Sequence, residues 1–171
     1  MRRPDTEGRT REELKTAARH GTKLMTPKIT LTDKHDDATI KALGKKLMDF
    51  NEIGSGRPLD YCPLTISVTH PNTDELLGGL WANTAYSYLH IELLYLPEEL
   101  RGAGLGRQLI SQAEQEAIQR GCRGVWLDTF SFQARGFYER IGYTVFGTFE
   151  EYPPGHSRFF LRKDFKIEDS H

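Results

Sequence analysis

Cysteine is scarce in this sequence: Cys62 and Cys122 lie far apart and in no metal-ligand spacing. That excludes a disulfide framework and a clustered metal site, and leaves two reduced, structural thiols of a cytoplasmic protein as the simplest expectation. No stretch approaches the roughly 18 apolar residues that a membrane span requires. Charge of one sign is not in excess either. The 23 basic and 24 acidic residues give a formal net charge of −1, without the electrostatic footprint of a nucleic-acid binder. Internal repeats and low-complexity segments are missing. What remains is a chain of 171 residues, read as one domain long enough to bury a full core. Neither a membrane nor a nucleic acid is expected among its partners.

The first 24 residues differ from the rest. They carry seven basic and four acidic side chains and almost no large apolar ones. Such a segment buries too little surface to offset its ordering entropy, so a mobile basic arm over 1–24 is expected. It lacks the apolar stretch of a secretory signal, and its acids argue against a transit peptide. The remaining 25–171 then form a single domain with net charge −4, which favours cationic over polyanionic partners.

Along that domain, Lys28 to Leu31 reads as a short strand, and Asp33 as the cap of a following helix. Ile40, Leu43, Leu47 and Phe50 recur at helical spacing and predict a core-facing stripe. Two strands, Leu64 to Thr69 and Leu76 to Asn83, flank the turn residues His70-Pro71-Asn72-Thr73-Asp74. Tyr86-Ser87 makes a second turn. From Tyr88 the pattern alternates: Leu89, Ile91 and Leu93 share one face, Tyr88, His90 and Glu92 the other. A histidine and a glutamate on one face of a central strand predict a polar cleft there. Further strands are expected at Gly124 to Phe130, Tyr143 to Phe149 and Ser157 to Leu161, with a short helix over Phe132 to Ile141.

The most informative stretch is Leu93 to Arg120, LLYLPEELRGAGLGRQLISQAEQEAIQR. An apolar run ends at Pro97, a glycine-rich turn follows, and a long amphipathic helix starts near Ala103 or Gly104 and ends at Gly121. Glycines in the turn keep side chains away, so backbone N–H groups at the helix start can converge on an anion. The helix dipole adds positive potential, and Arg101 and Arg107 can make charge-assisted contacts to phosphate oxygens. The turn is neither a Walker loop, which needs Lys-Ser or Lys-Thr where Arg107-Gln108 stand, nor a dinucleotide fingerprint, which needs glycine at Arg107.

Arg101, Gly104 and Gly106 instead spell R-x-x-G-x-G, which resembles the acetyl-coenzyme A motif of the GNAT N-acetyltransferase superfamily. The segment Ala134 to Tyr143 (ARGFYERIGY) resembles that family's A-x-x-F-Y-x-x-x-G-F/Y landmark, in the right order and spacing. The resemblance spans about Ile29 to Leu161 and implies an α/β (α+β) fold. Its central sheet would be mixed, mostly antiparallel, splayed at the cofactor site and flanked by helices. It implies acetyl-coenzyme A as co-substrate and no metal. Carried over, the backbone of Leu94, Tyr95 and Leu96 would bond the pantetheine arm. The amides of Arg101, Gly102, Ala103, Gly104, Leu105, Gly106 and Arg107 would hold the pyrophosphate, with Phe137 and Tyr138 beside the cofactor. Many members carry asparagine where this chain has Ser131, so Ser131 or Gln133 is expected to replace that contact.

Tyr138 matches the family's general-acid tyrosine, and Glu92, ahead of His90, is the expected acceptor of the amine proton, directly or through water. The acceptor is expected to be a small amine, with Trp81, Glu150, Glu151 and His156 as its candidate contacts. Trp81 is equally suited to core or homodimer packing. A protein or peptide substrate, or a non-catalytic coenzyme A-binding module, are the alternatives.

Overall fold

The computed structural model describes residues 27–166, and the basic arm expected over 1–24 lies outside them. By internal contacts the chain divides into two units, 1–41 and 42–171. In the described part of the first unit, residues 27–36 form no strand, and Ile29 and Leu31 are fully exposed. The strand expected at Lys28 to Leu31 is therefore not formed, because no neighbouring strand supplies a ladder. Helix α1 (Asp37–Ser55) begins after Asp36, whose carboxylate accepts from the Ala38 N–H at 3.1 Å and the Thr39 hydroxyl at 2.5 Å. Asp36 rather than Asp33 is the cap, and those bonds hold its carboxyl below the usual range. None of the α1 residues is buried, and Leu43, Leu47 and Phe50 are exposed, so the expected core stripe is not a packed face. Amphipathic spacing fixes a helix and a face fit for burial; it does not supply the partner.

The second unit carries a six-stranded sheet with order β1-β2-β3-β4-β6-β5. Its strands are β1 (Cys62–Thr69), β2 (Leu76–Ala85), β3 (Tyr88–Tyr95), β4 (Gly124–Phe130), β5 (Thr144–Glu150) and β6 (Ser157–Asp164). All neighbours run antiparallel except β3 and β4. The β2–β3 turn is tight, with Tyr86 and Ser87 both in left-handed backbone at φ 49° and 65°. Asp60 and Arg57 reach that turn from the loop after α1, the first accepting from the Tyr86 N–H at 2.6 Å.

Helix α2 (Leu105–Gln119) buries Leu109, Ile110, Ala113 and Ala117. They pack on Leu80, Ala82, Leu89, Ile91, Val125, Leu127 and Leu161 from the sheet, the face expected from Leu89 and Ile91 in β3. Leu93, expected on the same face, is 62% exposed, because the ladder shifts register just before it. The short helix α3 (Arg135–Arg140) is narrower than expected and adds Tyr138 to the same core. The opposite face of the sheet carries His90, Trp126 and Asp128. No helix among the described residues is long and apolar enough to cross a membrane.

Two irregularities in β3 open the site. Trp81 pairs with Leu93 and Ala82 with Ile91, so Glu92 is an extra residue in a bulge. The parallel ladder with β4 runs only from Tyr88–Gly124 to Ile91–Leu127 and then stops. Beyond it, β3 continues to Tyr95 and β4 to Phe130 without pairing with each other, leaving a gap in the middle of the sheet.

Candidate active site

A cleft of about 700 Å³ occupies that gap. One wall is Glu92 to Leu96 of β3 and the loop after it, the other Asp128 and Thr129 of β4. Its floor is the start of α2, and Phe132, Gln133, Phe137 and Tyr138 close its far side.

The glycine turn is built for a ligand's close approach. Gly102 and Gly104 hold φ of 83° and 85°, which L side chains adopt only with strain, and a Cβ at either would meet open space. The glycines therefore serve the backbone's shape and leave its amides uncovered, while Gly106 faces Phe137, whose ring would sit 3.4 Å from an added Cβ. The first N–H groups of α2 have no partner within the helix, and Gln108 is the first to bond back, to the Gly104 carbonyl at 3.0 Å. Arg101, Arg107 and Arg140 line the same cleft. Free amides, a helix start, the guanidiniums of Arg107 and Arg140 and room above two glycines fit a pyrophosphate.

Two expected members of this cradle are already engaged. The Arg101 N–H donates to the Glu98 carbonyl at 3.0 Å, and its guanidinium Nε donates to the Leu96 carbonyl at 2.8 Å. Arg101 thus braces the loop that carries the cradle, and the amides left for an anion begin at Gly102.

Tyr138 lines the cleft and is 7% exposed. Burial, with a smaller contribution from the Asp128 carboxylate, pushes its phenol up to about 12. The group therefore stays protonated through the physiological range and can donate. Glu92 lines the cleft opposite, its Oε1 accepting from Asn83 Nδ2 at 2.5 Å. His90 does not reach the lining. Its ring lies flat on Trp126, with centroids 3.6 Å apart and planes 3° apart. Burial pushes its imidazole below the ordinary value, against the opposing pull of Glu92 and Asp128. That leaves His90 a neutral, stacked support.

Of the two residues expected to replace the family asparagine, Gln133 borders the cleft. Its Oε1 is occupied, accepting from the Phe130 N–H at 2.8 Å and the Thr129 hydroxyl at 3.1 Å. Ser131 is not in the lining; its hydroxyl bonds His156 and the Ser157 N–H, both at 3.2 Å. Nor do Trp81, Glu150, Glu151 and His156 line the cleft. Trp81 sits beside Leu93 on the half-exposed sheet face. Glu150 ends β5, and Glu151 accepts from the Gly155 N–H at 3.0 Å, closing its own hairpin. His156 is one ring removed, edge-on to Phe132 at 4.9 Å. Ala103 and Leu105 offer only backbone.

Sequence reasoning passed over Asp128, Phe132, Arg140 and Asn83. Asp128 lines the cleft and is held by Arg158, whose Nε donates to it at 2.6 Å. That guanidinium also lies over the Phe130 ring at 5.2 Å and the Tyr152 ring at 5.9 Å. The signal was present in β4, where Trp126, Asp128 and Phe130 alternate onto the face of His90.

Comparison with known proteins bears on the family and the fold. The profile of the Acetyltransferase (GNAT) family matches residues 46–143. The chain is 40% identical to the blasticidin-S acetyltransferase of Streptomyces morookaense over 105 residues, which are 60% of this chain and 77% of that protein. It is 35% identical to an acetyltransferase of Agrobacterium fabrum over 135 residues, covering 79% and 97% of the two chains. A crystal structure of an Agrobacterium tumefaciens protein, described as an acetyltransferase, superposes with a TM-score of 0.76 at 34% identity, over 81% of this chain and all of that one.

Proposed function

The chain belongs to the acetyltransferase (GNAT) family, and from that premise we propose that it acetylates a small, cationic amine by direct attack on acetyl-coenzyme A. The observation that carries the reading is the juxtaposition, in one cleft, of an anion cradle, a buried neutral phenol and an exposed carboxylate.

The amides from Gly102 to Arg107, with Arg107 and Arg140, would take the pyrophosphate. The unpaired edges of β3 and β4 would bond the pantetheine arm, chiefly at Leu94 and Tyr95, since Arg101 already occupies the Leu96 carbonyl. The thioester then lies between Glu92 and Tyr138. Glu92 takes a proton from the acceptor ammonium, directly or through water, since the side chain is open to solvent. The amine nitrogen bonds the acetyl carbon, and the carbon–sulfur bond breaks as Tyr138 donates its proton to the leaving thiolate. The second proton of the attacking nitrogen restores the phenol, and Glu92 releases the first to solvent.

The blasticidin-S acetyltransferase relative supports a small-molecule acceptor. The test is acetyl-coenzyme A turnover, followed by thiol release, against small amines including blasticidin S and against a peptide library. Acetylation of small cationic amines is expected. Turnover confined to peptides would overturn the acceptor class, and silence on every amine despite acetyl-coenzyme A binding would overturn the catalytic assignment.

A further inference from the structure

Asn83 is 8% exposed near the end of β2, between buried Ala82 and Thr84. Asparagine is among the residues strands disfavour, and a buried primary amide is costly unless bonded. The fold alone would be better served there by valine or threonine. Among the described residues the Asn83 side chain bonds one other side chain, donating from Nδ2 to Glu92 Oε1 at 2.5 Å. Glu92 is the bulged residue of β3, where the ladder no longer fixes the direction of the side chain. The amide supplies the missing constraint.

Of the two carboxylates lining the cleft, Asp128 is neutralised by Arg158 at 2.6 Å. Among the described residues Glu92 has no such cation, only the neutral donor Asn83. We propose that Asn83 is a positioning residue: its amide holds Oε1 of Glu92, so that Oε2 is presented to the ammonium of the acceptor. The pair thus forms a site for a single cationic nitrogen. A neutral donor suits this task, because it orients the carboxylate without spending its charge, whereas a lysine or arginine would compete with the substrate. This inference rests on the reading of Glu92 as the proton acceptor.

Of the titratable and charged groups near Glu92, His90 on its own strand interacts with it, while Asp128 with Arg158 bound to it, Tyr138, Arg101, Arg107 and Arg140 share the same cleft. None of them touches Asn83 through a side-chain hydrogen bond. Three variants separate the possibilities. Glu92→Gln tests the underlying reading; if it leaves acceptor kcat/KM unchanged, that reading fails and the present inference with it. If Glu92→Gln is impaired, Asn83→Leu should lower acceptor kcat/KM roughly tenfold to a hundredfold, with the KM for acetyl-coenzyme A unchanged. Combined with Glu92→Gln, it should cost less than about twofold more, because the group it orients is already lost. Asn83→Asp keeps the shape but sets two carboxylates against each other, so the acid limb of its kcat/KM profile should move to higher pH. Independent, multiplying losses in the double variant, or an unmoved acid limb in Asn83→Asp, would reduce Asn83 to a structural residue and overturn the inference.

Discussion

Tyr138 in the cleft lining and His90 outside it show how burial assigns chemistry. Tyr138 loses solvent and meets the field of Asp128, both of which favour the neutral phenol, so its ionisation moves to about 12. It therefore stays a donor through the physiological pH range. Tyr138→Phe removes that donor alone and should lower kcat roughly 10²–10⁴-fold, with little change in acetyl-coenzyme A affinity by calorimetry. An unchanged kcat under chemistry-limited conditions would leave the phenol only a packing role. His90 is shifted the other way: burial disfavours its charged form, so the folded state binds a proton less readily than the unfolded one. Stability then falls as pH drops through the unfolded value of about 6.5, where the unfolded chain takes up the proton first. The slope of Tm against pH between about 5 and 7 should flatten in His90→Gln. An identical slope would show that His90 titrates alike in both states. His90 and Glu92 were both legible in the sequence as polar residues on one strand face. Their different roles were not, because the stacking of His90 on Trp126 and the Asn83–Glu92 bond come from strands distant in sequence.

At the level of elements, legibility follows how local the cause is. The α2 cradle was readable because glycine spacing, strand end and helix start all lie within one stretch, Leu93 to Arg120. The α1 helix was readable too, but its burial was not, since periodicity carries no information about a partner. The β4–α3 connection shows a third case. Gln133 looked like a substitute contact for the cofactor, yet its Oε1 ties the Phe130 N–H and the Thr129 hydroxyl into a turn. That turn aims α3, and with it Phe137 and Tyr138, at the cleft. Gln133→Ala leaves both donors without this partner and should destabilise by about 1–3 kcal/mol in denaturant titrations. Gln133→Glu keeps an acceptor oxygen in place and should recover more than half of the loss. Equal losses in the two variants would mean that the bonds to Oε1 are not what holds the turn.

For the whole molecule, the decisive feature is that the sheet is joined at its centre by a short seam. Strands β1, β2 and β3 form one half, β4, β6 and β5 the other. Between them the ladder runs only from Tyr88–Gly124 to Ile91–Leu127, with α2 packed across one face. A ligand lying in the gap beyond Ile91 and Leu127 would take up backbone groups from both halves at once, and it binds a surface that the unfolded chain lacks. Ligand linkage at 100 times Kd stabilises by about 2.7 kcal/mol. For a domain of this size that corresponds to a rise in Tm of roughly 5–10 °C. Acetyl-coenzyme A should produce such a rise in a thermal scan. Pantetheine, which offers the arm but nothing for the amides of Gly102 to Arg107, should produce far less at the same concentration. Gly104→Ala provides the internal control. Its positive φ makes any side chain strained by roughly 1–2 kcal/mol, so the free protein should melt earlier. A Cβ there meets no protein atom, so the further loss of the acetyl-coenzyme A-induced rise would report the cradle itself. A flat Tm for the unaltered protein at millimolar acetyl-coenzyme A would remove the cofactor from the cleft, and an equal rise with pantetheine would move the main anchor from the glycine turn to the open strand edges.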